Sequence, residues 1–341
     1  MKKQISGLIA LSLLIISCGT NNSSEDTTSI LPSSQSTPSF TITTANVNFY
    51  SDLEYGTSSR NQFDIFMPQS DKPTPLAVLI HGGAFIFGSK EQFYSQKDSK
   101  MLINDLLSQN IAVASINYSL AQQSEGVSTS LEDTQKALQF LRYHSTSFNI
   151  SKEDILLLGN SAGAGAALWI GLSDNRANLN STDSVDHEST RVKGLVLLET
   201  QASYDLFKWQ DEVFSEYKNQ GLTQDSILSI IGQRSLFLYA GVSSQAEFDL
   251  KNTADYQDSL NMLSLISSDD PEMYVSNVNV KFDIPSSLND LYHHPLHAKA
   301  IMDQANKQQI KAQFNIPKMN INTLNNEGIT DFIIRKLKTE Q

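Results

Sequence analysis

The chain has 341 residues, of which 40% are hydrophobic and 9% aromatic, a composition that excludes a disordered or collagen-like chain. Lys and Arg number 25 against 37 Asp and Glu, for a net charge of −12. Such a surface lacks the basic patch that phosphate contacts need, so no nucleic-acid partner is expected. The single cysteine, Cys18, rules out intrachain disulfides and thiolate zinc clusters.

Lys2 and Lys3 precede an apolar run over 7–16. The run is too short to span a bilayer but suits the core of a signal peptide. It ends Ile15-Ile16-Ser17-Cys18-Gly19, which resembles a bacterial lipobox. That resemblance implies a lipoprotein signal peptide over 1–17 and lipidation of Cys18. It places the protein in the bacterial cell envelope, with the outer membrane expected and either face open. Residues 18–46 are rich in Ser and Thr and include Pro32 and Pro38, so a flexible tether is expected there.

From Val47 onward the pattern becomes one of alternating strands and helices, read as one domain over 47–341. Residues 62–67 alternate in strand fashion. The runs at 76–80 (LAVLI), 111–116 (IAVASI), 155–158 (ILLL) and 192–198 (VKGLVLL) are short, apolar and rich in branched residues. Runs of that kind suit strands buried on both faces of a parallel sheet. Weaker strands are expected at 273–280 and 310–316. Leu131, Ala137, Leu138 and Leu141 share one helical face, and 297–305 and 327–337 are further helices. The alternation implies a doubly wound, mostly parallel α/β sheet. Residues 204–263 break it, with helical stretches at 207–217 and 226–231 and no clear strand until Phe237. This stretch is expected to be a helical insertion over the sheet's C-terminal edge.

Two motifs carry chemistry. Gly159-Asn160-Ser161-Ala162-Gly163 directly follows the ILLL strand. A serine hydroxyl is a weak nucleophile and must stand exposed beside a base. A sharp strand-to-helix turn presents it, and the flanking glycines make the space. The amide after the serine then points toward the place where an oxyanion develops. Upstream, His81-Gly82-Gly83-Ala84 ends the LAVLI strand, and its paired glycines let backbone N–H groups turn inward. His81 by itself reads as structural.

Together these motifs resemble the α/β-hydrolase family, in its branch of esterases and lipases with an HGG oxyanion motif (hormone-sensitive-lipase-like and bacterial feruloyl-esterase-like). The resemblance also includes Asn61-Gln62-Phe63-Asp64, Asn117-Tyr118-Ser119-Leu120 where the family usually has Y-R-L, and Leu131-Glu132-Asp133. It implies that Ser161 is the nucleophile and that Gly82, Gly83 and Ala162 supply oxyanion N–H groups. It implies an ester substrate, a small molecule or glycan-linked, and no cofactor. Ala84 replaces the third glycine, and Ser119 replaces the usual arginine.

The resemblance also implies an acid after a late strand and a histidine after the last one. No histidine follows His297, and Asn320 or Ile321 stands where the family's histidine would be. Asp290-Leu291-Tyr292-His293-His294-Pro295-Leu296-His297 offers a relocated set. Asp290 is the candidate acid, with Asp283 second. His294 is the candidate base, with His293 and His297 beside it. The same histidines also suit the cap and flanks of a helix begun by Pro295. A metal site is not expected, because adjacent His293 and His294 diverge on a helix. The competing function is a degenerate hydrolase that binds a ligand or partner without turnover.

Overall fold

The computed structural model describes residues 30–123 and 125–338. The expected signal peptide and Cys18 lie outside the described residues. Nine strands form one sheet in the order β1-β2-β4-β3-β5-β6-β7-β8-β9. They are β1 Val47–Glu54, β2 Gln62–Pro68, β3 Thr74–Ile80, β4 Ala112–Ile116, β5 Ile150–Asn160, β6 Gly194–Leu198, β7 Glu272–Ser276, β8 Ala312–Ile316 and β9 Ile321–Asn322. Neighbours from β4 through β8 run parallel, while β1, β2 and β9 pair antiparallel. This is a doubly wound α/β-hydrolase sheet.

The apolar runs sit where both sheet faces are covered. β4 is buried at every position, and β3 at all but one. On one face, Ala77, Leu79, Leu156, Leu158 and Val196 pack against Ile103, Leu106 and Leu107 of the helix Lys97–Ser108. Phe332, Ile333 and Leu337 of the helix Ile329–Lys338 complete that layer. The other face carries the helices Val127–Tyr143 and Ala162–Leu172. Every residue of Ala162–Leu172 is buried, which explains its small residues and lack of a polar face. Between β6 and β7 the described chain runs through short helical turns, from Leu206–Lys208 to Met262–Leu265. Phe237 lies in one of them, Gln233–Ala240, and not in a strand.

Late in the chain, β7 stops at Ser276, earlier than its apolar run suggests. After β8 the chain turns tightly at Asn320 (φ 57°) and pairs back as β9, with Ile316 opposite Ile321. Hairpin pairing therefore takes up the stretch where the family's histidine would stand.

The N-terminal segment departs from expectation. Leu31 onward belongs to the same unit as the sheet. Phe40 stacks on Tyr94 at 5.6 Å and meets Phe66 at 5.8 Å. Ser36 N–H donates to Phe49 O, and Thr43 N–H to Asn104 Oδ1. One aromatic ring and a few backbone bonds thus tie down the last part of the expected tether. Phe40→Ala is expected to cost about 1–2 kcal/mol in urea unfolding and to expose residues 31–46 to limited proteolysis. Unchanged stability and cleavage would show that this packing contributes nothing.

Among the described residues, no helix is long and apolar enough to cross a membrane.

Candidate active site

β5 ends at Asn160, and the helix Ala162–Leu172 begins two residues on. Ser161 between them has φ 52° and ψ −119°. A side chain is held in so sparsely populated a conformation only where its surroundings enforce it. Here close backbone enforces it. A Cβ on Gly159 would lie 2.1 Å from Gly163 O, and one on Gly163 would lie 2.1 Å from Ile80 O. Ser161 N–H donates to Leu198 O at 2.8 Å, tying the turn to the end of β6.

The second motif meets the first. β3 ends at Ile80, and a Cβ on Gly82 would lie 3.3 Å from Ser161 Cβ. Ser161, Gly82, Gly83 and Ala162 all line one cavity of about 720 Å³. Ala162 N–H belongs to the first turn of its helix, where amides have no intrahelical partner and the helix adds positive potential.

The imidazole at the serine belongs to His293. Ser161 Oγ lies 2.7 Å from His293 Nε2. His293 Nδ1 lies 3.1 Å from Asn289 Oδ1. An amide oxygen only accepts, so Nδ1 carries the hydrogen and Nε2 is free to accept from the serine. Burial pushes the His293 pKa below its usual value, against a smaller upward pull from the Asn289 backbone.

This corrects the expectation built on Asp290 and His294. Asp290 is the third residue of the helix Leu288–Tyr292, whose cap is Ser287. Ser287 Oγ donates to Asp290 Oδ2 at 2.8 Å, and Asp290 N–H donates back to Ser287 Oγ. The carboxylate is thus engaged at its own helix start, on the hydroxyl of the capping serine. His294 is fully buried and caps the next helix, Pro295–Gln308, where its Nδ1 accepts from Leu296 N–H. Its Nε2 donates to Asp283 O, so Asp283 contributes a backbone carbonyl to this network. His297 is also fully buried; it accepts from Ala202 N–H and donates to Leu291 O. Asn320 and Ile321 are occupied in the β8–β9 hairpin.

Two buried amides hold the His293 segment in place. Gln201 Nε2 donates to Tyr292 O at 2.8 Å, and Asn277 Nδ2 donates to His293 O at 3.0 Å. They satisfy carbonyls that the end of a short helix leaves orphaned. Asn277 follows β7 directly, the place where the resemblance implies an acid. Glu199, just after β6, is the carboxyl in the cavity wall. It is buried, has φ 54°, and accepts from Val278 N–H at 2.7 Å. Burial raises its pKa. Among the described residues, no cluster of three His, Cys, Asp or Glu groups could hold a metal ion.

The BD-FAE family model matches residues 63–246, more than half of the chain and including both motifs. The chain belongs to the BD-FAE family. This is a family of α/β-hydrolase esterases and lipases. Among curated relatives, the chain is 28% identical to a probable isoprenylcysteine alpha-carbonyl methylesterase of Arabidopsis thaliana, over 54% of this chain and 36% of that protein. It is 26% identical to a kynurenine formamidase of Danio rerio, over 61% of this chain and 63% of that protein. The chain thus spans about a third of the first relative and under two thirds of the second. Among solved structures, a truncated carbohydrate esterase from gut microbiota superposes with a TM-score of 0.58 at 15% identity, covering 86% of this chain and 97% of that one. Esterase B from Lactobacillus rhamnosis gives 0.51 at 17%, covering 80% and 74%. At these identities the structural likeness establishes the fold alone.

The other buried histidines of this BD-FAE chain yield a test independent of activity. Burial lowers the pKa of His81 to about 4 and that of His297 to about 3, from a usual 6.5. Both rings stay neutral in the folded state but gain protons on unfolding below pH 6.5. Their contribution to stability is present above pH 6.5 and is lost as pH falls toward 4. Proton NMR should therefore show no titration of these two rings between pH 5 and 8, with Tm falling below pH 6.5. A midpoint near 6.5 for either ring would contradict the burial.

Proposed function

We propose that the protein is a serine esterase with Ser161 as nucleophile and His293 as general base. The observation that carries this is the 2.7 Å approach of His293 Nε2 to a serine held on a glycine-flanked turn at a cavity. That distance is within general-base reach. It counts against the reading of a hydrolase fold that binds without turnover. The names of the curated relatives, an esterase and a formamidase, support the same reaction class.

Ser161 Oγ attacks the ester carbonyl carbon as its proton passes to His293 Nε2. The carbonyl oxygen becomes an oxyanion facing the N–H groups of Gly82, Gly83 and Ala162. Collapse of the intermediate breaks the bond to the alcohol, which leaves with the proton from His293. A water then attacks the acyl-enzyme with His293 again taking the proton, and the acid departs.

The third member of the set is Asn289, a neutral amide. It fixes the tautomer and the ring orientation but supplies no countercharge to the imidazolium. Together with burial, this keeps His293 a free base to a lower pH than a carboxylate partner would allow.

The cavity wall mixes the aromatic rings of Phe85, Tyr239 and Tyr292 with the amides of Gln92, Gln96 and Asn279. Amides both donate to and accept from hydroxyls. Esters of hydroxylated or aryl alcohols, glycan-linked ones included, are the proposed substrates. Lipid attachment through Cys18, after removal of 1–17, is proposed from the sequence of residues 2–19 and would keep the enzyme on a membrane of the cell envelope.

Hydrolysis of p-nitrophenyl acetate tests the assignment. His293→Ala should lower kcat about 10²–10⁴-fold, whereas Asp290→Ala should leave kcat within about threefold after correction for folded protein. Loss of activity in Asp290→Ala with retention in His293→Ala would reverse the assignment. Asn289→Asp sets a carboxylate beside the ring and favours its charged form, so the acid limb of the kcat/KM profile should move to higher pH. An unmoved limb would remove Asn289 from the set.

A further inference from the structure

Resting on the esterase reading above, we propose that Arg60, acting through His81, sets the Gly82–Gly83 peptide plane so that Gly83 N–H faces the oxyanion position. Arg60 comes from a turn distant in sequence from both motifs. Its guanidinium makes three contacts on the far side of the glycine loop. Nε donates to Tyr118 O at 3.1 Å, Nη2 donates to Gly88 O at 3.0 Å, and Nη2 lies 3.2 Å from His81 Nε2.

An arginine only donates, so His81 Nε2 must accept and the ring hydrogen must sit on Nδ1. His81 Nδ1 lies 2.7 Å from Gly82 O, and with that hydrogen it donates to the carbonyl. In a trans peptide the C=O and the following N–H point in opposite directions. A Gly82 carbonyl turned toward His81 therefore turns Gly83 N–H the other way. Gly82 and Gly83 both line the cavity at Ser161.

The surroundings leave His81 little other choice. It is fully buried, and Tyr118 stacks on it at 4.2 Å and 15° while Tyr118 OH donates to His81 O. A Cβ on Gly88 would lie 2.5 Å from Gly82 O and 2.9 Å from His81 Nδ1, so a glycine there leaves the histidine-to-carbonyl contact its space. The depressed pKa of the ring agrees with the neutral tautomer that the geometry requires. Ser119 occupies the place where the resemblance has an arginine. Its hydroxyl donates to Ser58 Oγ in the turn that carries Arg60.

Arg60 and His81 are thus positioning residues, acting on the transition state through a backbone amide. An oxyanion donor acts on kcat and leaves ground-state binding nearly unchanged. Arg60→Ala should lower kcat for p-nitrophenyl acetate about 10²-fold, with KM within about twofold. It should bind a trifluoromethyl ketone, which mimics the oxyanion, more weakly by a similar factor. Added guanidinium chloride at non-denaturing concentration should restore part of kcat. A purely structural role would not produce that split or that rescue.

His81→Asn and His81→Gln form the second comparison, because Asn places its amide where ring Nδ1 stood and Gln places its amide where Nε2 stood. Asn should retain at least tenfold more kcat than Gln. Unchanged kcat in folded Arg60→Ala, or equal activity of the Asn and Gln variants, overturns the proposal. If Arg60→Ala does not fold, the Asn and Gln pair alone decides. Absence of turnover by the unmodified protein would instead refute the esterase reading itself.

Discussion

The hydrogen bond between Ser161 Oγ and His293 Nε2, at 2.7 Å, is the contact to which every other feature of the site leads. Each partner reaches it from a constrained backbone. The serine stands on a turn with φ 52° that only close-packed glycines permit. The histidine ends a five-residue helix whose last carbonyls are held by Gln201 and Asn277. Because both amides follow sheet strands, His293 is referenced to the same frame as Ser161, and that common frame lets a short exposed helix hold the ring against the serine.

The proposed catalytic contacts are made largely by neutral groups. His293 is oriented by an amide oxygen, His81 is a neutral donor to Gly82 O, and the proposed oxyanion donors are backbone amides. Arg60 contacts His81 and does not line the cavity, where Glu199 is the carboxyl in the wall. Fixed dipoles in a partly enclosed cavity need no reorganisation as charge develops. On the proposed reading, such a design would tolerate the absence of the acid that the resemblance implies, with the tautomer of each histidine fixed by its neighbours.

Much of this architecture is legible in the residue pattern. The apolar runs of β3, β4, β5 and β6 are strands because parallel strands covered on both faces must be apolar throughout. The two glycine motifs fall at strand ends because only there does backbone approach backbone so closely. What the pattern could not decide is a register of one residue. Asn289 and His293 are four apart, and so are Asp290 and His294, so spacing alone fits both pairs equally. Expecting a carboxylate in the role favours the second pair, yet Ser287 is the N-cap of this helix, and its hydroxyl engages both the N–H and the carboxylate of Asp290. The N-terminal segment shows the same limit. Its Ser, Thr and Pro content suits a tether, but the long-range stacking of Phe40 on Tyr94 carries no local signal.

Labelling with a fluorophosphonate, followed by mass mapping of the adduct, tests the central claim most directly. The account predicts one adduct, on Ser161, at a rate that falls by at least 10²-fold when His293 is replaced by alanine and stays close to that of the unmodified protein when Asp290 is replaced. An unlabelled Ser161, or labelling indifferent to His293, would contradict it.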